Sequence, residues 1–157
     1  ELYNHKILNT WYQIQANEIR YKEYYLDDAQ YVVIGFGTAG RIALTAVRNA
    51  RAEGIKVGLF RPISLSPFPF ARIEQLAKTV QGFLVAEMNT GQMLDDVEMA
   101  VKGKVPIEFY ARVGGIVPYP DEILGEIHRL VHEPKSPDGD PRQRWMQRLK
   151  DGVITLS

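Results

Sequence analysis

The chain has 157 residues, 45% of them hydrophobic and 24% charged, with nineteen basic residues, nineteen acidic residues and no cysteine. That size and composition fit one ordinary globular domain with short extensions and a real core. Zero net charge argues against a general nucleic-acid binder, which needs a basic excess to displace counterions, and the missing thiols remove disulfides, cysteine-ligated zinc and cysteine-ligated iron–sulfur clusters from this chain.

In chain order, "YNHKILNTWYQIQANEIRYK" (3–22) reads as a helix with an imperfect apolar stripe of Ile7, Leu8, Trp11, Tyr12, Ile14 and Ile19. "EYYLDDAQ" (23–30) connects it to a first strand at 31–36, followed by a helix over about 38–53 with Gly54 as its C-terminal stop. A second strand spans 56–60. Three prolines then exclude regular structure from "RPISLSPFPF" (61–70). A helix over about 71–80, a strand at 82–87, a helix over about 90–101 and a strand at 106–110 follow. "ARVGGIVPYP" (111–120) is a loop, and a helix over about 121–131 closes the alternation. The polar linker "HEPKSPDGDPR" (132–142) leads to a tail helix over about 143–150.

Strands spaced by helices indicate right-handed β-α-β units and a largely parallel sheet, and the unbroken apolar runs "YVVIGF" and "FLVA" suit strands buried on both faces. The expected organisation is an N-terminal helix and linker (1–30), an α/β domain (31–132), and a linker with tail helix (133–157). The basic stretch "RQRWMQRLK" (142–150) reads as a solvated helix face or a subunit contact. No apolar run approaches the roughly 20 residues that span a bilayer. With no signal peptide, a cytoplasmic location is expected. The chain opens at Glu1 without a methionine, which suggests an excerpt from a longer polypeptide.

Gly35-Phe36-Gly37-Thr38-Ala39-Gly40 has the G-x-G-x-x-G spacing of a dinucleotide turn between a strand and a helix, with Thr38 placed to cap the helix. The ribose-binding acid expected about 20 residues on is missing: Phe60-Arg61-Pro62 stands there, so only a 2′-phosphate meeting Arg61, hence NADP, would fit. The competing reading is a tight turn and close packing with no ligand at Gly35, Gly37 and Gly40.

The carboxyl ends of the strands form the functional edge of such a sheet. They collect Gly35–Gly40, 61–70, "EMNTGQ" (87–92) and "ARVGG" (111–115). Arg61 and Arg112 either bind a phosphate or carboxylate or form ion pairs with Glu87 or a partner chain, the ion pairs being preferred. Asn89 or Thr90 caps the helix after them. The phenylalanines of "SPFPF" (66–70) pack on their own domain or present an apolar docking surface. No G-x-S-x-G nucleophile occurs and no histidine lies at a strand end. His128 and His132 lack the glutamate of H-E-x-x-H, so no metal site is expected.

Three co-ordered strings, "NEIRYKEYYLDDAQYVVIGFGTAGRIALTAVRNARAEGIKVGLFRPISLSPFP", "VAEMNTGQMLDDVEMAV" and "RVGGIVPYPDEILGEI", resemble the C-terminal part of the alpha subunit of 2-oxoacid:ferredoxin oxidoreductases, of the 2-ketoisovalerate type. The resemblance covers residues 17 to about 130. It implies a transketolase C-terminal-like, three-layer α/β/α fold with a mostly parallel sheet of about five strands, one antiparallel. The fifth strand is expected within 111–119.

The holoenzymes of that family oxidatively decarboxylate a 2-oxoacid to acyl-CoA and reduce ferredoxin, using thiamine diphosphate, magnesium, iron–sulfur clusters and coenzyme A. The resemblance implies that this stretch binds none of these and carries no catalytic residue. It implies as partners the upstream pyrimidine-binding domain of the same subunit, which carries the cofactor-activating glutamate, and the other subunits. Neither nucleic acid nor membrane is expected as a partner. The strand-end residues Phe36, Arg61, Phe68, Phe70, Glu87, Asn89, Gln92 and Arg112 are the expected interface.

Overall fold

In the computed structural model, residues 1–133 and 137–152 are described. Six helices and five strands alternate among them: α1 (Leu2–Asn17), β1 (Tyr21–Tyr24), β2 (Tyr31–Gly35), α2 (Gly37–Ala52), β3 (Val57–Pro62), α3 (Phe70–Leu76), β4 (Gly82–Glu87), α4 (Gln92–Val101), β5 (Ile107–Ala111), α5 (Pro120–His132) and α6 (Pro141–Lys150). The sheet order is β1-β3-β2-β4-β5. β2 pairs in parallel with β3 and β4, and β4 in parallel with β5. β2, β4 and β5 carry nearly continuous apolar runs because both faces of the sheet are covered. α2 and α5 pack together, as do α3 and α4. Right-handed crossovers leading in opposite directions from the centre put these pairs on opposite faces. The result is the expected three-layer α/β/α arrangement.

The fifth strand lies elsewhere than expected. It is β1, running antiparallel along β3 from Tyr21↔Pro62 to Tyr24↔Leu59, while 113–119 form no strand. "RYKEYY" has no alternation that separates an edge strand from a helix end, and its partner is 35 or more residues away, so only the tertiary register reveals it. The first helix accordingly stops at Asn17. β3 also extends through Arg61 and Pro62 into the stretch assigned to a loop. β2 pairs with β3 only as far as Phe60, so beyond it Pro62 is flanked by β1 alone, an edge setting that tolerates a missing N–H.

The tail also departs from expectation. α6 is not a solvated helix: it lies against β5, with Trp145 buried edge-to-face on Phe109 at 5.4 Å between ring centroids. Arg144 and Arg148 each reach the buried Glu108 at 3.1 Å, and Arg148 also reaches Glu126 at 3.2 Å. A string of arginines reads as solvated until the fold supplies buried carboxylates. Residues 134–136 of the expected linker and 153–157 of the expected tail lie outside the described residues. No described helix is long and apolar enough to cross a membrane. α1 contributes nothing to the core: none of its residues is buried.

Candidate functional site

β2 lies between β3 and β4, and the chain leaves β2 for a helix on one face and β4 for a helix on the other. The loops therefore diverge at the carboxyl edge and open a cleft of about 340 Å³, lined by Phe36, Gly37, Thr38, Leu65, Glu87 and Asn89 among others. This is the topological switch point, where open α/β sheets bind their ligands.

Two of the three glycines in the turn are consumed by packing. A Cβ on Gly40 would sit 2.3 Å from the Gly35 carbonyl oxygen, and one on Gly35 would sit 2.9 Å from Gly40 Cα. The first turn of α2 thus lies directly on the end of β2. Gly37 differs: its φ is +56° and the space where a side chain would start is open. Thr38 does not cap α2; Phe36 occupies the N-cap position without a side-chain hydrogen bond, because the chain enters the helix two residues earlier than the Thr38 reading required.

The facing helix start is already filled. Glu87, 4% exposed, accepts hydrogen bonds from the Met93 and Leu94 amides at 3.1 and 2.9 Å. Asn89 Oδ1 accepts from the Gly91 and Gln92 amides at 2.8 and 3.0 Å. Together they satisfy the N-terminal donors of α4. Burial pushes the Glu87 carboxyl above the usual carboxylate range, against the pull of the Met93 and Leu94 amides. A buried acid at this wall is a poor neighbour for a pyrophosphate.

The preferred ion pairs of Arg61 and Arg112 with Glu87 do not form. Glu87 is turned to backbone amides, and Arg61 has no ion pair among the described residues, its Nε being buried without a partner. Arg112 is 1% exposed and pairs with Glu122, whose Oε2 also accepts from the Tyr119 amide at 2.8 Å and so closes a capping box at the start of α5. Burial and the Glu122 carboxylate raise the Tyr110 phenol pKa well above its ordinary value.

Burial alone would push the Glu122 carboxyl up, but Arg112, the Tyr119 amide and Tyr110 together hold it below the usual range. A carboxyl depressed in the fold stabilises above its unfolded pKa and loses that contribution as pH falls through the folded one. Glu122→Gln is therefore expected to lower Tm at pH 7 and to flatten the further fall of Tm below about pH 4, the ordinary carboxylate range. Parallel acid-melting curves for the native chain and the variant that keep one constant separation would refute this.

The remaining expected residues divide by exposure. Phe68 is buried in the core at 4%, while Phe70 stacks edge-to-face on it at 5.1 Å and stays 37% exposed. The packing reading of "SPFPF" thus holds for Phe68, while Phe70 stays partly exposed. Phe36 and Gln92 are exposed, and Asn89 and Arg61 are intermediate. Beyond the three phenylalanines, sequence reasoning concentrated on polar side chains at this edge and missed its other apolar ones. Tyr21, Ile63, Leu65, Val113, Ile116, Val117 and Tyr119 all stand exposed at the same end of the sheet. The signal was present as apolar residues inside the proline- and glycine-rich loops that follow β3 and β5.

Residues 29–123 match the family described as pyruvate:ferredoxin oxidoreductase core domain II. The chain belongs to this family. Within it, the ketoisovalerate oxidoreductase subunit VorB of Methanothermobacter marburgensis is 41% identical over 133 residues, covering 85% of this chain and 38% of that protein. The 2-oxoglutarate synthase subunit KorA of the same organism is 39% identical over 101 residues, covering 64% of this chain and 27% of that protein. The core domain II chain thus spans well under half of these relatives. Among solved structures, 2-oxoglutarate:ferredoxin oxidoreductase from Magnetococcus marinus, with 2-oxoglutarate, coenzyme A and succinyl-CoA bound, superposes with a TM-score of 0.70 at 21% identity, covering 83% of this chain and 23% of that one. A split-gene transketolase in an inactive β4 tetramer gives 0.59 at 15% identity, covering 71% of this chain and 41% of that one. These likenesses establish for the domain the transketolase C-terminal-like fold.

Proposed function

We propose that this chain is a non-catalytic accessory and assembly domain of a thiamine-diphosphate-dependent 2-oxoacid:ferredoxin oxidoreductase of the ketoisovalerate type. Such an enzyme oxidatively decarboxylates a 2-oxoacid, transfers the acyl group to coenzyme A and passes the electrons to ferredoxin. The observation that carries the reading is the apolar collar at the carboxyl edge, on a chain that is 41% identical to a ketoisovalerate oxidoreductase subunit. An exposed apolar patch of this kind marks a surface made to be covered.

In this reading the collar docks on the pyrimidine-binding domain of the same subunit and on neighbouring subunits, in the cytoplasm. Phe36 and Phe70 are anchors, with Asn89, Gln92 and Arg61 at the polar rim. Phe68, Glu87 and Arg112 hold the loops in shape from beneath. Thiamine diphosphate, magnesium, iron–sulfur clusters and coenzyme A belong to the other parts. This chain offers no thiolate for a cluster, and no group of three His, Asp or Glu side chains among the described residues is placed to hold a metal.

The test is co-expression with the remaining parts of a ketoisovalerate oxidoreductase. The native sequence is expected to co-purify with them and to support coenzyme-A-dependent reduction of a viologen dye by 2-ketoisovalerate. Phe36→Asp with Phe70→Asp, both at exposed positions, is expected to cut co-purification at least tenfold, about 1.4 kcal/mol or more, while the chain's circular dichroism stays native. A fully assembled, active complex containing the double variant would remove the proposal. Calorimetric titration of the isolated chain with NADP serves as the control for the dinucleotide reading, and micromolar binding lost on Gly37→Val would replace the assembly role.

A further inference from the structure

Eight of the eleven arginines have a carboxylate partner. Among the described residues Arg41, Arg48 and Arg61 have none, and the fold gathers these three on one flank. Arg61 stands near the end of β3, and its Cγ would lie 3.1 Å from a Cβ on Gly40, so its side chain runs along the start of α2. Arg41 follows Gly40, and Arg48 comes two helical turns later, about 10 Å along the axis. The neighbours fix which way they face. Glu53, at the end of α2, turns toward α5 and meets His128 at 2.6 Å. Arg51 turns the other way, to the Val57 carbonyl at 3.0 Å and to Asp28 at 2.7 Å. Helical spacing sets Arg41 and Arg48, both exposed, on the side of Arg51, over β3 and β1.

Lys22 joins them. It stands directly opposite Arg61 in the β1–β3 pair, and opposite residues of an antiparallel pair share a face. Glu23 points to the other face, where Arg72 of α3 holds it at 2.6 and 3.1 Å. The carboxylates of the flanking segments are thus engaged elsewhere, and α2 itself contains no acid. The arrangement carries two costs. Like charges directly opposite in a sheet are destabilising, and the buried Arg61 Nε lacks an acceptor. An anionic surface laid on the flank relieves the first and offers acceptors near the second.

We propose that Lys22, Arg41, Arg48 and Arg61 form a docking surface for an acidic protein face, contributed by the part of the oxidoreductase that covers the adjoining collar. This rests on the assembly role proposed above. The flank is continuous with the collar, since Lys22 follows the exposed Tyr21 and α2 begins at the exposed Phe36. Its shape selects the occupant. The cations form a strip about 10 Å long rather than converging on one point, so a single phosphate group meets only part of it. Zero net charge withholds the overall basic excess that a nucleic acid needs. A row of Asp and Glu side chains on a protein face matches the strip in both length and sign.

The test co-expresses the chain, carrying Arg41→Glu and Arg48→Glu, with the remaining parts of a ketoisovalerate oxidoreductase. At about 50 mM salt, recovery of this variant with those parts is expected to be roughly tenfold below that of the native chain. Recovery of the native chain is expected to fall when salt is raised to about 0.5 M, where exposed charges are screened. In a second arm, Arg41→Lys with Arg48→Lys keeps the charge and supplies amines. A carbodiimide, which joins an amine to a carboxyl group, is expected to link Lys22 and positions 41 and 48 to Asp or Glu side chains of another chain. A native chain that assembles while the glutamate variant assembles equally well overturns this proposal and leaves the assembly role standing, as does an assembled complex without such cross-links. A native chain that does not co-purify removes both. Micromolar binding of inorganic pyrophosphate to the isolated native chain, lost in the glutamate variant, assigns the flank to a phosphate ligand and overturns the proposal. If the glutamate variant loses its native circular dichroism, the cross-linking arm decides alone.

Discussion

Glu108→Ala is expected to be among the most damaging single changes in this chain. Glu108 is 1% exposed and receives both Arg144 and Arg148 at 3.1 Å. Its removal leaves two guanidiniums facing one another beside β5, with Glu126 as the remaining acid for Arg148. Breaking a buried ion pair from one side costs more than the pair ever contributed, because the surviving charge stays desolvated. A loss of about 3 kcal/mol is expected, the low end for buried pairs because Arg144 is partly solvated, and a fall in Tm on the order of 10 °C follows for a domain of this size. The cause is separable by a second variant. Replacing all three residues, as Glu108→Leu with Arg144→Met and Arg148→Met, removes every charge at once and is expected to recover most of the lost stability. A triple variant no more stable than Glu108→Ala would show that the loss comes from packing and not from stranded charge.

Gly40→Ala is the second. The added Cβ would meet the Gly35 carbonyl oxygen at 2.3 Å and its carbon at 2.9 Å, backbone atoms that no rotamer change relieves. α2 must lift from the sheet, and Ala43, Ala46 and Val47 beneath it, each 0% exposed, lose contact with β2 and β3. The expected cost is about 3 kcal/mol, the upper end of the overpacking range. Gly37→Ala, in the same motif, meets nothing within 4 Å and bears only the strain of a left-handed backbone at φ +56°, roughly 1–2 kcal/mol. Urea denaturation of the two variants ranks them. Equal losses, or the reverse order, would contradict the division of the motif into packing glycines and one turn glycine. The motif's spacing alone makes no such division, since both a pyrophosphate site and a close helix–strand contact ask for glycine at the same places.

Most of the sheet was legible because parallel strands buried on both faces leave unbroken apolar runs, as at 31–35 and 82–87, and the helices between them end on glycines such as Gly54. The coarse location of the cleft followed from the same alternation, since the carboxyl edge is where such loops gather. The partners of the charged residues there were not legible. Strand-end placement alone lets Arg112 meet an anion, Glu87 or a partner chain. In the fold Glu87 closes the start of α4 and Arg112, through Glu122, the start of α5. Residues of one edge share a neighbourhood, but which donor meets which acceptor depends on helix phase and loop path.

By itself, the sequence determined the α/β alternation, the absence of any thiol chemistry and, through three co-ordered strings, the family. These are local or cumulative properties, carried by periodicity, composition and residue identity along the chain. The tertiary structure alone decided that 21–24 is an edge strand, that two of the three glycines serve packing, that the arginines of the tail close the β5 edge, and that apolar side chains stand exposed at the carboxyl edge. Each of these depends on a contact between segments far apart in the chain. The energy of such a contact lies in burial and distance, which do not exist until the chain has folded.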